Sequence, residues 1–281
     1  MAQSRLYLEA LSALSGCNVE STSASSHLTP QDFVNVVALR EFYKQKGFQQ
    51  LEYPSLGSMS LVDDADLYGA PPAVTQGPVT DAGPPPSSRP TVKINPNDFF
   101  HHEYDYNFTN IQDGDRTFLR GNERYIRPCG WKRVALRVVQ RYDDGDTWLG
   151  TDKDAWPVSY HGHKMDGSLG IIMAHSGSPR DNPQFLDEAA SSLMTNETRG
   201  RGVYSTPDIK YAEGLCKTFK SKVDDKMYKV VLQNRINPKK RVKCQRENVW
   251  LVYVPEGSTD VQTRVIVEES IRPYGLLLKQ A

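Results

Sequence analysis

Two short stretches hold the residue types best suited to chemistry. The first is YHGHK, residues 160–164, in which His161 follows a tyrosine and precedes Gly162. The second is GRGVYSTPDI, residues 200–209, which sets Tyr204 and Ser205 directly behind two glycines. Glycine allows backbone conformations and close approaches that a side chain forbids. A turn that brings Tyr204 up to a planar ligand is one reading, and a tight connection that serves only folding is the other. Taken singly, His161 reads as a satisfied strand-end histidine and Tyr204 as a core tyrosine bonded to backbone. Taken as an ordered pair, they suggest one pocket.

Other groupings carry less. His161 and His163, with His175 beyond, have the types to share an ion, but no further Asp, Glu or His at zinc-like spacing completes a set, so no metal is expected. The acidic run DDGDTWLGTDKD (143–154) lacks the alternating Asp pattern and closing Glu of a calcium loop and reads as a solvated loop. The run RINPKKRVKCQR (235–246) has the charge to meet phosphates, yet reads first as a charged strand-to-strand connection.

A strand-end His-Gly, then a Gly-flanked Tyr before a helix, then the closing stretch TRVIVEESIRPYGLLLK resembles the catalytic domain of the poly(ADP-ribose) polymerase-like ADP-ribosyltransferases, over residues 125–280. The resemblance implies an α+β ADP-ribosyltransferase fold, with split antiparallel sheets flanked by helices and NAD as substrate. Cleaving the nicotinamide–ribose bond passes through an oxocarbenium-like state, so the leaving ring must be held flat and the ribose fixed. On this resemblance His161 bonds the ribose of the adenosine half, and the backbone of Gly162 bonds the nicotinamide carboxamide. Tyr204 lies on the pyridine ring, a contact worth about 0.5–1.5 kcal/mol beyond burial, and Ser205 offers a further amide contact. Leu215 falls where the family has a second stacking tyrosine, with Tyr211 one helical turn earlier as the candidate replacement.

The third catalytic position falls at Gln262, Thr263 or Arg264, counted back from YGLLLK, and Gln262 is the residue assigned to it. Glu268 and Glu269 lie at the far end of that stretch, and Glu247 and Asn248 begin the one before. A neutral Gln bonds a ribose hydroxyl without stabilising much positive charge. The expectation is therefore mono-ADP-ribosyl transfer to a protein or nucleic-acid acceptor. Its alternative is a catalytically inactive module of the same fold that binds a nucleotide or a partner protein.

Several elements must position these residues. Thr29 as N-cap, Pro30 at the first helical position and Asp32 in the first turn predict a helix over 29–47, with Phe33, Val36 and Val37 on its apolar side, Arg40, Phe42 and Tyr43 beyond, and Gly47 to end it. Residues 1–28 read as a loose or weakly helical lead-in. The Pro/Gly/Ser-rich segment 71–96 lacks the apolar surface to repay ordering and reads as a linker or disordered insertion. It divides an N-terminal helical segment, 1–70, from a compact domain, 97–281. Within that domain RPCGWKRVALRVVQRY (127–142) leans towards helix, WPVSYHG (156–162) is a strand ending at the histidine, and PDIKYAEGLCKTFK (207–220) is a helix. MYKVVLQNRI, VWLVYVP, TRVIVEE and PYGLLLK read as strands, and strands gathered after helices point to an antiparallel sheet.

Composition bounds the rest. Lys+Arg and Asp+Glu both total 34, so no global charge draws the 281-residue chain to nucleic acid or membrane. Four widely spaced cysteines (17, 129, 216 and 244) form no CxxC pair and read as reduced thiols. The N-terminus is too polar for a signal peptide and no apolar run approaches membrane-span length. A cytoplasmic or nuclear monomer is expected.

Overall fold

The computed structural model describes residues 2–24, 28–38, 50–53, 57–60, 91–165, 202–244, 248–255 and 257–281. In chain order the strands are β1 (Asn18–Ser21), β2 (Gln50–Tyr53), β3 (Gly57–Ser60), β4 (Thr91–Ile94), β5 (Tyr106–Asn107), β6 (Phe118–Arg120), β7 (Glu123–Tyr125) and β8 (Lys132–Ala135). There follow β9 (Val158–His161), β10 (Gly202–Ser205), β11 (Lys217–Lys220), β12 (Met227–Ile236), β13 (Val242–Cys244), β14 (Val249–Tyr253) and β15 (Ile271–Gln280). The helices are α1 (Ala2–Ser15), α2 (Pro30–Ala38), the one-turn α3 (Pro96–Phe99), α4 (Ile209–Gly214) and α5 (Asp260–Ser270). The class is α+β.

Two antiparallel sheets organise the molecule. The larger runs β11-β12-β15-β8-β5, with β9 also pairing to β12; the smaller runs β10-β14-β13. Strand β12 is central because both its faces are apolar: Val230 and Leu232 enter one core and Val231 the other. Its register with β15 shifts at Gln233/Asn234, where Tyr274 is the extra residue on β15. The two sheets meet where Tyr160 and Thr206 exchange backbone hydrogen bonds of 2.7 and 3.0 Å. Among the described residues no helix is long and apolar enough to cross a membrane.

The expected strands at MYKVVLQNRI, VWLVYVP, WPVSYHG and PYGLLLK are present as β12, β14, β9 and part of β15. Elsewhere the structure corrects the sequence reading. Residues 127–142 hold a strand, β8, instead of a helix: Val134, Leu136 and Val138 all enter the first core, so alternation outweighed the Ala135/Val139 pattern. Conversely, TRVIVEE is helical. Thr259 caps α5 reciprocally with Gln262, and Thr263, Val267 and Ser270 are buried at helical spacing while Val261 and Val265 face solvent. The capping box overrode the β-propensity of its Val and Ile residues. The helix expected over 207–220 stops at Gly214, and Lys217–Lys220 turns back as β11.

The N-terminal region is more ordered than its composition suggests. Residues 2–15 form a full helix whose Tyr7, Leu11 and Leu14 share the first core with β12 and β15. Glu9 on α1 accepts from Ser221 Oγ at 2.8 Å and from the Lys222 amide, tying the helix to the turn after β11. Residues 91–94, within the expected linker, form β4 and pair in parallel with β1. Helix α2 is described over Pro30–Ala38, and the predicted continuation through Arg40, Phe42, Tyr43 and Gly47 lies outside the described residues. Gln31 on α2 donates to the Ile271 carbonyl and accepts from the Tyr142 hydroxyl, so α2 is fixed to the start of β15.

Candidate functional site

Strand β9 is buried along its whole length, which explains its Val-Ser-Tyr-His composition. Val158 and Tyr160 enter the second core, so alternation puts Ser159 and His161 on the other face, opposite Asn234 and Leu232 of β12. Burial holds the Tyr160 phenol well above its ordinary pKa, and its hydroxyl donates to the Ile126 carbonyl at 2.6 Å. Strand β10 lies alongside β14, and here Gly202 is required for a reason unrelated to ligand. Its φ is +146°, and a Cβ would collide with the carbonyl oxygen of Val252. The glycine before Tyr204 thus serves strand pairing first. The other glycine of the motif, Gly200, lies outside the described residues.

The two motifs converge. His161 Nδ1 lies 2.6 Å from the backbone carbonyl oxygen of Tyr204. A carbonyl only accepts, so Nδ1 carries the proton and, in the neutral ring, Nε2 carries the lone pair. This contact orients the imidazole rigidly. Both residues are buried, His161 at 1% and Tyr204 at 3% exposure. The Tyr204 ring belongs to the second core with Tyr160, Met165, Ile209 and Leu251.

Gly162 follows His161 against the end of α4. A Cβ there would stand 2.7 Å from the Ala212 oxygen and 2.9 Å from the Leu215 carbon and oxygen. The Lys164 amide donates to the same Leu215 oxygen at 2.9 Å. Protein backbone therefore occupies the space beside Gly162. Ser205 is fully buried on the face of β10 opposite Tyr204, and its hydroxyl has no hydrogen-bond partner among the described residues. Tyr211 and Leu215 both pack, partly buried, against the second core that holds Tyr204.

Gln262 is not part of this assembly. Its side-chain oxygen accepts from the Thr259 amide at 2.8 Å, its own amide donates to Thr259 Oγ1, and it sits on the exposed side of α5. The assignment of Gln262 as a third catalytic residue at a strand start is therefore corrected: its amide is committed to a helix cap. Glu268 and Glu269 are exposed on the same helix, with Glu269 paired to Lys240. Of the alternatives, Asn248 meets the strand junction through its carbonyl, which accepts from Thr206 Oγ1 at 2.8 Å. Glu247 lies outside the described residues.

The two histidines of YHGHK do not converge on an ion. His163 Nδ1 bonds the Leu14 carbonyl at 2.8 Å, whereas His161 bonds Tyr204; His175 lies outside the described residues. No group of three or more His, Cys, Asp or Glu suited to a metal occurs among the described residues. Two positioning residues escaped the sequence reading. Thr206 links the sheets through Tyr160, and Asp208 caps α4 by accepting from the Lys210 amide. The Ser-Thr-Pro-Asp string after Tyr204 was the available signal for that cap.

A scan against protein-family models, a search of curated proteins and a search of solved structures each returned no match.

Proposed function

We propose that the chain is an ADP-ribosyltransferase-like protein that takes NAD at the β9–β10 junction and moves one ADP-ribose to a protein or nucleic-acid acceptor. One observation supports this above the rest: the His161 imidazole is locked by the Tyr204 carbonyl, joining the two motif residues. A ring held in that tautomer presents Nε2 as an acceptor, which suits a ribose hydroxyl. His161 would hold ribose, and Tyr204 and Tyr211 would supply the aromatic surface for the nicotinamide ring. Polymer synthesis is not part of the proposal, because no glutamate accompanies the pair among the described residues.

A second reading, the same fold used as a binding module without turnover, is favoured by a different observation. The Tyr204 ring is packed into an apolar core and backbone already faces Gly162. Seating a pyridine ring there requires those contacts to open. One experiment separates the readings. The purified protein is incubated with NAD labelled in its adenylate half, alone and with candidate acceptors, and free nicotinamide and transferred label are both followed. The transferase reading expects nicotinamide release that His161→Ala abolishes. Stabilisation of the fold by NAD without release supports the module, and neither stabilisation nor release contradicts both.

A further inference from the structure

On the second-core face of the large sheet, away from the His161 side chain, three arginines gather around tyrosines without a counter-ion among the described residues. Arg133 of β8 and Arg235 of β12 flank the Tyr274 ring, with guanidinium carbons 5.5 and 5.2 Å from its centroid. Arg120 of β6 lies 5.0 Å over Tyr125, whose hydroxyl accepts from Gln233 Nε2 at 3.3 Å. Arg235 is 4% exposed and Gln233 fully buried, whereas Arg120, Arg133 and Tyr274 are half-buried and form the solvent side.

None of the three guanidiniums contacts a carboxylate among the described residues. Arg120 donates to the Leu119 carbonyl and Arg133 to that of Tyr104. Arg235 donates to the carbonyls of Trp156, Leu149 and Gly150. Carboxylates on neighbouring elements are engaged elsewhere. Glu123, across the hairpin from Arg120, holds Arg241 and Lys243, and Asp105 takes the Ala135 amide and His102. Burial lowers the Arg235 pKa, and the like charges of Arg120 and Arg133 add to that effect.

Polar atoms at the floor of this cluster lack partners. Gln233 Oε1, Arg235 Nε and Arg133 Nε are buried and make no hydrogen bond among the described residues. An unpaired buried carboxamide oxygen and unneutralised guanidiniums are each unfavourable, and one ligand chemistry relieves both. An oxyanion answers the arginines, and a hydroxyl on the same molecule donates to Gln233 Oε1. The solvent edge carries Tyr106, 43% exposed and 5.9 Å from the Arg133 guanidinium, a ring on which a base can stack, with the buried Phe108 packed behind it.

We propose that Arg120, Arg133, Arg235, Gln233 and Tyr274 form a binding site for a phosphate ester bearing hydroxyls and a planar base, a nucleoside monophosphate in its simplest form. The site stands independently of the NAD reading, since none of its side chains belongs to the His161–Tyr204 contact.

The test is isothermal titration of the full chain with adenosine monophosphate, ribose 5-phosphate and inorganic phosphate. Arg120→Gln serves as the first variant because Arg120 bonds only its neighbour's carbonyl, so its loss leaves the core intact. Arg133→Lys keeps the alkyl stem that packs against Gly275 and removes the fork. The expected result is binding in the order nucleotide, sugar phosphate, phosphate, weakened at least about tenfold by either variant. No binding by any probe, or binding indifferent to both variants, overturns the site. Equal affinity for phosphate and nucleotide overturns its assignment to an ester.

Discussion

Replacing Gly162 with alanine isolates what this glycine does. Its new Cβ would lie 2.7 Å from the Ala212 oxygen and 2.9 Å from two Leu215 atoms, all of them main chain. No flexible side-chain end can swing aside, so the end of α4 or the turn at 162–165 must shift. That turn is itself held by the Met165 amide on the Gly162 carbonyl and the Lys164 amide on Leu215, both at 2.9 Å. Overpacking of this kind costs about 1–3 kcal/mol, and rigid backbone on every side argues for a figure near ~2 kcal/mol. Urea denaturation should show a lower midpoint at unchanged slope, and the melting temperature should fall by roughly 4–8 °C. Gly214→Ala is the internal control. It ends the same helix with nothing within 4 Å of its Cβ, so it should be neutral or stabilising by up to about 1 kcal/mol. A Gly162→Ala protein within about 0.5 kcal/mol of the parent would refute the claim that backbone crowding demands glycine there.

Three further outcomes are expected. Gln262→Ala removes half of the α5 capping box and should cost about 0.5–2 kcal/mol in urea unfolding while leaving NAD affinity unchanged; a loss of affinity would return Gln262 to the site. Arg235→Leu strands three carbonyl acceptors that the guanidinium now serves. It should destabilise by about 3 kcal/mol or more, and a change under about 1 kcal/mol would contradict that clamp. Glu213 is partly desolvated, which raises its pKa, but bonds to Lys229 and Lys279 outweigh this and hold it below the usual 4.5. Its contribution is complete above about pH 4.5 and fades as pH falls through the lower folded value. The stability gap between wild type and Glu213→Gln should therefore narrow on going from about pH 6 to about pH 3, and a constant gap would contradict the assignment.

The legibility of the chain followed the range of the physics involved. Strand β14 was readable because VWLVY is an unbroken apolar run, and β12 because Val230, Val231 and Leu232 stand together at its centre, both local signals. The helix α5 was misread because its Val and Ile residues favour strands, while the decisive signal was the Thr259–Gln262 cap just before them. The helix α1 was underestimated because its apolar residues gain their value from β12, far along the chain. Motif order suggested the two side chains of His161 and Tyr204 facing one cleft; the imidazole instead meets the Tyr204 carbonyl while the Tyr204 ring lies in the second core, a contact with no sequence signature. The cluster of Arg120, Arg133 and Arg235 was invisible for the same reason: β8 and β12 of the large sheet and β6 of the separate β6-β7 hairpin deliver it, and only the tertiary fold makes them neighbours.

The account rests on the His161–Tyr204 junction as a nucleotide site, and calorimetric titration of NAD against wild type and His161→Ala tests this most directly. The prediction is saturable one-to-one binding by the wild type and its loss in a variant that circular dichroism finds folded. Absence of binding by the wild type, or equal binding by the folded variant, would contradict it.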